Sequence, residues 1–223
     1  MPSMLRPCIA LFAAIILGAP PLRAFDHPLS DEAVREAYFL GQRRDETTAN
    51  FLNKYTRALP PPETGPYISY VSFFTPYAGA VELSRQNQMG NSAQDALQQY
   101  KKHGSVIRVV ITIEFTANYN FLIEKPTNSN SGSKSGFQYR PPDFWRDFSY
   151  RLFQRDQAVP STNMEGQATY TSADAGGAGN LSGAVVTLYF DADSIDPSED
   201  ADVVVDTVNN QQAVATFSLA SLR

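Results

Sequence analysis

The sequence is poor in the side chains that most often carry chemistry. Its 223 residues include one cysteine, Cys8, and two histidines, His27 near the N-terminus and His103 at the end of a predicted helix. One cysteine excludes an intramolecular disulfide framework, and two histidines so placed disfavour a Ser-His-Asp triad or a histidine metal site. No G-x-S-x-G nucleophile motif occurs. The sequence therefore assigns no catalytic residue and favours a non-enzymatic role.

Positive charge is missing from the C-terminal third of the chain. From Asp156 to Leu222 there are ten acidic residues and no lysine or arginine, and the net charge of the whole chain is -5. Such a chain has no electrostatic attraction for the phosphate backbone, so we expect no nucleic-acid partner.

One long apolar run is present, and it lies at the N-terminus. Arg6 precedes the ten apolar residues Cys8–Leu17, and Gly18–Ala24 ends the segment on a small residue. This is the pattern of a secretory signal peptide, and ten apolar residues are too few to span a bilayer. We expect residues 1–24 to be removed, which leaves a cysteine-free, exported chain without a transmembrane segment, in the periplasm or outside the cell.

Residues 25–62 predict an N-terminal helical segment with two short helices. Ser30 can cap the first helix, and Asp31-Glu32 place acidic side chains at the positive end of its dipole. Phe51–Leu59 carries apolar side chains at helical spacing, and the prolines of Pro60–Pro62 end the second helix.

Residues 67–223 predict a mainly β domain. A further helix is expected near 92–103, where Ser92 starts a capping-box-like pattern and Gly104 fits the stop position. Ile107, Val109, Ile111 and Ile113 alternate with mixed residues in the clearest strand. Strands are expected at Tyr67–Thr75, Ser105–Thr116, Phe148–Gln154, Gln167–Thr171, Ala184–Phe190, Val203–Val208 and Ala213–Leu219, with a low-complexity loop at Pro126–Gly136. This order favours an antiparallel β-sandwich preceded by helices.

The acidic run Asp191–Asp202 is a candidate calcium site. Calcium takes six to eight oxygen ligands from flexible loops. The candidate ligands are Asp191, Asp193, Asp196, Glu199, Asp200 and Asp202, although their order does not match an EF-hand. The alternative is a solvated acidic loop that keeps the end of the sheet soluble.

The segment Phe137–Arg155 is a candidate binding surface because aromatic side chains alternate there with arginines. Aromatic faces and guanidinium groups bind glycans or peptides by stacking and cation–π contact. The candidate residues are Tyr139, Arg140, Trp145, Arg146 and Tyr150. Two structural alternatives stay open: the aromatic residues fill the core, and the arginines pair with the acidic C-terminal segment.

The function that these features favour is an exported binding or structural module of the bacterial envelope or extracellular space. Its partner is expected to be an envelope protein or an extracellular polymer. A calcium-stabilised adhesion-like domain is one alternative. The other is a secreted hydrolase with paired carboxylates, for which Glu114, Asp143 and Asp147 are conceivable but not singled out.

Overall fold

A computed structural model describes most of the chain after the predicted signal peptide. The described residues are 25–43, 45–86, 88–90, 92–117, 119, 122–124, 137–171, 179–208 and 211–223. The predicted signal peptide and the low-complexity loop Pro126–Gly136 lie outside the described residues.

Within these residues the chain is mainly β, with two larger antiparallel sheets and four α-helices. The helices are α1 (Asp31–Gln42), α2 (Glu46–Asn53), α3 (Pro76–Arg85) and α4 (Ala93–His103). The strands are β1 (Thr56–Ala58), β2 (Pro66–Phe74), β3 (Val106–Phe115), β4 (Leu122–Glu124), β5 (Phe137–Tyr139), β6 (Ser149–Gln154), β7 (Gln157–Val159), β8 (Asn163–Tyr170), β9 (Leu181–Asp191), β10 (Asp200–Asp206) and β11 (Gln212–Ser218). One sheet has the order β1-β2-β3-β9-β8, the other β11-β10-β6-β7, and β4 pairs with β5.

The strand β3 shows why these segments form sheets. Ile107, Val109, Ile111 and Ile113 are fully buried, while the residues between them are partly exposed, as the alternating sequence predicts. The two larger sheets contribute to one hydrophobic cluster. Phe73 of β2 and Phe217 of β11 meet there with their ring centroids 5.5 Å apart. Burial of this cluster is the main force that stabilises the fold.

The helices form a second hydrophobic cluster beside the five-stranded sheet. Val34 and Tyr38 of α1 pack with Tyr77 and Val81 of α3. The helices α1 and α3 approach closely at Gly41, where an added Cβ would lie 2.3 Å from the carbonyl oxygen of Val81. Glycine is required here because any side chain would push the two helices apart.

Polar contacts lock the same pair of helices. The Ser84 hydroxyl donates to the Tyr38 carbonyl oxygen at 2.8 Å, and the Gln42 amide donates to the Ser84 carbonyl oxygen at 2.8 Å. The N-terminal segment therefore docks on the rest of the chain instead of projecting from it.

The last residue of the chain is held against the helices. The Arg223 guanidinium donates to both carboxylate oxygens of Glu36 and lies 4.1 Å from the ring centroid of Tyr77. The hydroxyls of Tyr55 and Thr75 donate to the Arg223 carbonyl oxygen. These contacts tie Arg223, and with it the segment after β11, to α1 and to the start of α3.

Two expectations about the helices need correction. The second N-terminal helix was expected to reach Leu59, but α2 ends at Asn53 and Thr56–Ala58 forms β1. The helix α3 was not expected at all. Every residue from Pro76 to Ser84 except Leu83 is buried. The helix is therefore covered on all its faces and carries no amphipathic pattern that sequence analysis can detect.

Candidate functional site

A cavity of about 350 Å³ lies between α3, α4 and the adjoining ends of β3 and β9. Its inner wall includes Gly79 and Ala80 of α3 and the buried Met89, and Val106 adds apolar surface from β3. Gln88, Gln99, His103 and Gly104 lie at its exposed rim. We call it the Arg108 cavity, after the one arginine among its lining residues. Its mostly apolar walls with a few polar groups are typical of small-molecule sites.

Arg108 reaches this cavity because of its register in the sheet. It pairs with Phe74 on β2 and with Tyr189 on β9, so it lies in the middle of a row of three strands. Its neighbours Ile107 and Val109 are fully buried on the opposite face. Arg108 therefore projects from the face of the sheet that α3 covers.

The Arg108 guanidinium contacts one backbone acceptor and one aromatic ring. Its Nη2 atom donates to the Gly79 carbonyl oxygen at 3.3 Å, and its Cζ atom lies 5.6 Å from the Phe74 ring centroid. Burial lowers the pKa of Arg108 from its ordinary value. The phenol of Tyr189 and the carboxylate of Glu82 raise the same pKa, but by less than burial lowers it. An arginine nevertheless stays cationic in proteins, so a positive charge lies at the cavity wall.

Glu82, and the glutamate bonded to Tyr189, are engaged in other hydrogen bonds. Glu82 accepts hydrogen bonds from the Arg85 guanidinium at 2.7 and 2.8 Å and from the Gln86 amide at 2.6 Å. Glu165 accepts a hydrogen bond from the Tyr189 hydroxyl at 3.0 Å. Among the described residues, no carboxylate forms an ion pair with Arg108.

The wall formed by α4 is fixed at its C-terminal end. The Tyr100 hydroxyl accepts a hydrogen bond from the Leu29 backbone N–H at 2.8 Å and shares another with the Ser105 hydroxyl at 2.7 Å. Gly104 then ends the helix with a φ of 76°, a conformation that favours glycine. The phenol of Tyr100 therefore positions the wall and is not free to bind a ligand.

The structure divides the predicted aromatic–arginine surface into buried and exposed parts. Trp145 is 6% exposed and packs in the main core, and the buried Tyr150 hydroxyl donates to its carbonyl oxygen at 2.7 Å. Burial raises the pKa of Tyr150. Tyr139, by contrast, is 76% exposed. The aromatic residues of this segment are therefore used at least in part for core packing.

The arginines of that segment have several structural partners. Arg140 lies over the Tyr119 ring at 4.6 Å, and Arg146 lies over the Trp145 ring at 5.2 Å. Arg151 forms an ion pair with Asp206, which confirms that arginines of this segment pair with the acidic C-terminal third. A binding role for Tyr139, Arg140, Trp145, Arg146 and Tyr150 stays a prediction.

The carboxylates of the acidic run Asp191–Asp202 bind local partners. Asp196 accepts from the Ser198 hydroxyl at 2.6 Å, and this contact lowers the pKa of Asp196. Glu199 forms an ion pair with Arg155, which lowers the pKa of Glu199. Arg155 also lies 3.5 Å from the Asp196 carboxylate, and further contacts join Asp191 with the Asp193 backbone N–H, Asp193 with His27 and Asp202 with Thr216.

These contacts do not assemble a cation site. In the part of the chain that the structure describes, no group of three His, Cys, Asp or Glu side chains is placed to hold a metal ion. Calcium binding by Asp191, Asp193, Asp196, Glu199, Asp200 and Asp202 therefore stays a prediction without a supporting geometry.

Sequence analysis missed the Arg108 cavity because its lining comes from segments far apart in the chain. One signal was available: Arg108 is a lone cation among the β-branched residues of Ser105–Thr116.

Comparison of the sequence with models of known protein families gives no match, and neither does comparison with curated proteins. None of the helices among the described residues has the length and apolar composition needed to cross a membrane.

Proposed function

We propose that the chain is an exported, non-enzymatic binding module of the bacterial cell envelope or extracellular space, and that the Arg108 cavity receives its ligand. Export is supported by the signal-peptide pattern of residues 1–24. The absence of a recognisable catalytic motif in the sequence supports binding over catalysis. The ligand that fits this cavity is a small, largely apolar molecule.

The observation that carries the proposal is the composition and position of the cavity. Its volume of about 350 Å³ falls at the lower end of the range for ligand sites. Buried residues of α3 form its inner wall, and exposed side chains of α4 form its rim. A ligand can therefore enter from solvent and bury its apolar part without displacing the core.

We also infer that the two larger sheets form a β-sandwich, with the helices at one side. Support comes from the cluster that residues of both sheets share, and from the contact between Phe73 and Phe217. In such an arrangement the cavity lies on the outer face of the five-stranded sheet, so ligand binding does not disturb the packing between the sheets.

The test uses a neutral fluorescent probe of apolar sites, N-phenyl-1-naphthylamine, titrated into the purified protein. We expect saturable binding of one probe per chain. Leu83→Trp should weaken this binding at least about tenfold, because Leu83 lines the cavity and the larger side chain fills it. Leu40→Trp is the matched control, since Leu40 is a half-buried helical leucine outside the cavity lining.

Thermal melts of both variants establish that they are folded. Equal probe binding by the unmodified protein and by Leu83→Trp would contradict the proposal, since the probe would then bind elsewhere. Loss of binding in both tryptophan variants would also contradict a site specific to this cavity.

A further inference from the structure

The Arg108 cavity contains a positive charge that no carboxylate of the described residues pairs with directly, which indicates the chemistry of its ligand. One hydrogen bond, to the Gly79 carbonyl oxygen, is found for the Arg108 guanidinium among the described residues. A partly buried cation gains stabilisation when an anion pairs with it directly. Within the described chain Arg108 has no anionic hydrogen-bond acceptor, and a bound ligand can supply one.

We propose that the ligand is a small monocarboxylate with an apolar body, whose carboxylate pairs with Arg108. This inference rests on the proposed function and specifies the ligand class of the same site. The planar guanidinium matches a carboxylate because it can donate two parallel hydrogen bonds. The apolar walls at Ala80, Met89 and Val106 then contact the rest of the ligand.

A carboxylate fits better than a phosphate because the cavity offers little positive charge. Arg108 is the only lysine or arginine among the lining residues, and His103 is the only lining histidine, at the exposed rim. Phosphate groups carry up to two negative charges near neutral pH and are usually held by several donors or cations. One arginine balances one carboxylate.

The experiment is a displacement assay with N-phenyl-1-naphthylamine as the bound probe. Octanoate, octanamide and octyl phosphate are compared as competitors at pH 7, because they share the apolar chain and differ in the head group. We expect octanoate to displace the probe at a concentration at least about tenfold lower than octanamide, as is usual for a hydrogen bond to a charged group. Octyl phosphate should be weaker than octanoate.

Arg108→Met keeps an unbranched, flexible stem and removes the charge. It should abolish the preference for octanoate over octanamide while the neutral probe still binds, and Arg108→Lys should restore part of the preference. Arg57→Met is the matched control: Arg57 also donates to backbone carbonyl oxygens and lies over an aromatic ring, Phe217, but is outside the cavity. Arg57→Met should keep the full preference.

Each outcome separates this inference from the proposed function. Probe binding with equal displacement by octanoate and octanamide would overturn the carboxylate assignment and leave the binding module standing. A preference that survives in Arg108→Met would mean that Arg108 has a structural role only. Stronger displacement by octyl phosphate than by octanoate would also overturn the assignment. Absence of probe binding would contradict the proposed function itself.

Discussion

The packing of α1 against α3 can be tested by replacing a glycine with alanine at two positions, one in each helix. Gly79 and Gly41 both lie in helices, and replacing a helical glycine by alanine ordinarily stabilises a protein by about 0.5–1 kcal/mol. The Cβ of Gly79→Ala would lie 3.7 Å from Arg108 Nε and Nη2, which is ordinary van der Waals contact. We therefore expect Gly79→Ala to raise the free energy of unfolding by about 0.5–1 kcal/mol.

Gly41→Ala should have the opposite sign. Its Cβ would lie 2.3 Å from the Val81 carbonyl oxygen and 2.7 Å from the Ser84 Cβ, and neither the backbone nor a buried serine can move freely. Overpacking of this kind costs about 1–3 kcal/mol, and so close a backbone contact places the cost in the upper part of that range. After the gain in helix propensity, we expect a net destabilisation of about 2 kcal/mol.

Urea unfolding and thermal melts of the three proteins provide the measurement. For a chain of this length, about 2 kcal/mol corresponds to a fall in Tm of about 4–8 °C. Gly79→Ala should raise Tm by up to about 4 °C. If Gly41→Ala were as stable as Gly79→Ala, α1 would not dock on α3, and the reasoning that places the helices together would be refuted.

Two further predictions concern an ion pair and the one tryptophan. The Arg223 guanidinium lowers the pKa of Glu36, so the stabilisation by this half-exposed pair is present above about pH 4.5 and is lost as the pH falls through the lowered pKa. Glu36→Gln should therefore destabilise the protein by at most about 1 kcal/mol at pH 7. The difference in Tm from the unmodified protein should disappear as the pH falls below about 4.5 and through the lowered pKa of Glu36. A difference in Tm that is independent of pH would disprove the assignment. Gly166→Ala would place a Cβ 2.3 Å from the Trp145 ring, so we expect destabilisation by about 1–3 kcal/mol and a red shift of tryptophan emission; an unchanged spectrum would contradict the burial of that ring beneath β8.

Local signals in the sequence predict most of the secondary structure correctly. The Ser30 side chain caps α1, the Ser92 side chain caps α4, and Gly104 ends α4, as their positions predict. The expected hairpin of Val203–Val208 and Ala213–Leu219 is present as the pairing of β10 with β11. These elements depend on residues close together in sequence, so a periodic or capping pattern is sufficient to locate them.

The errors arise where distant residues determine the structure. Tyr55 and Leu59 have helical spacing, but the Tyr55 backbone oxygen accepts from the Phe73 N–H of β2, and the chain forms a strand there. The helix α3 is surrounded by other elements, so its burial erases the pattern that marks a surface helix. The Arg108 cavity was unpredictable for the same reason, since its inner wall belongs to this undetected helix.

The burial of nearly all of α3 gives the two sides of the cavity different stability against local opening. The strand β2 continues into this helix through Thr75 alone, whose hydroxyl caps it by accepting from the Ala78 N–H. Backbone amides of α3 should therefore exchange with solvent hydrogen at the rate of global unfolding. In α4 just two residues, Ala96 and Leu97, are buried, so its amides should exchange through local opening at much lower free energy. A ligand in the cavity would therefore lie between a wall that opens only when the whole fold unfolds and a wall on a helix that opens locally.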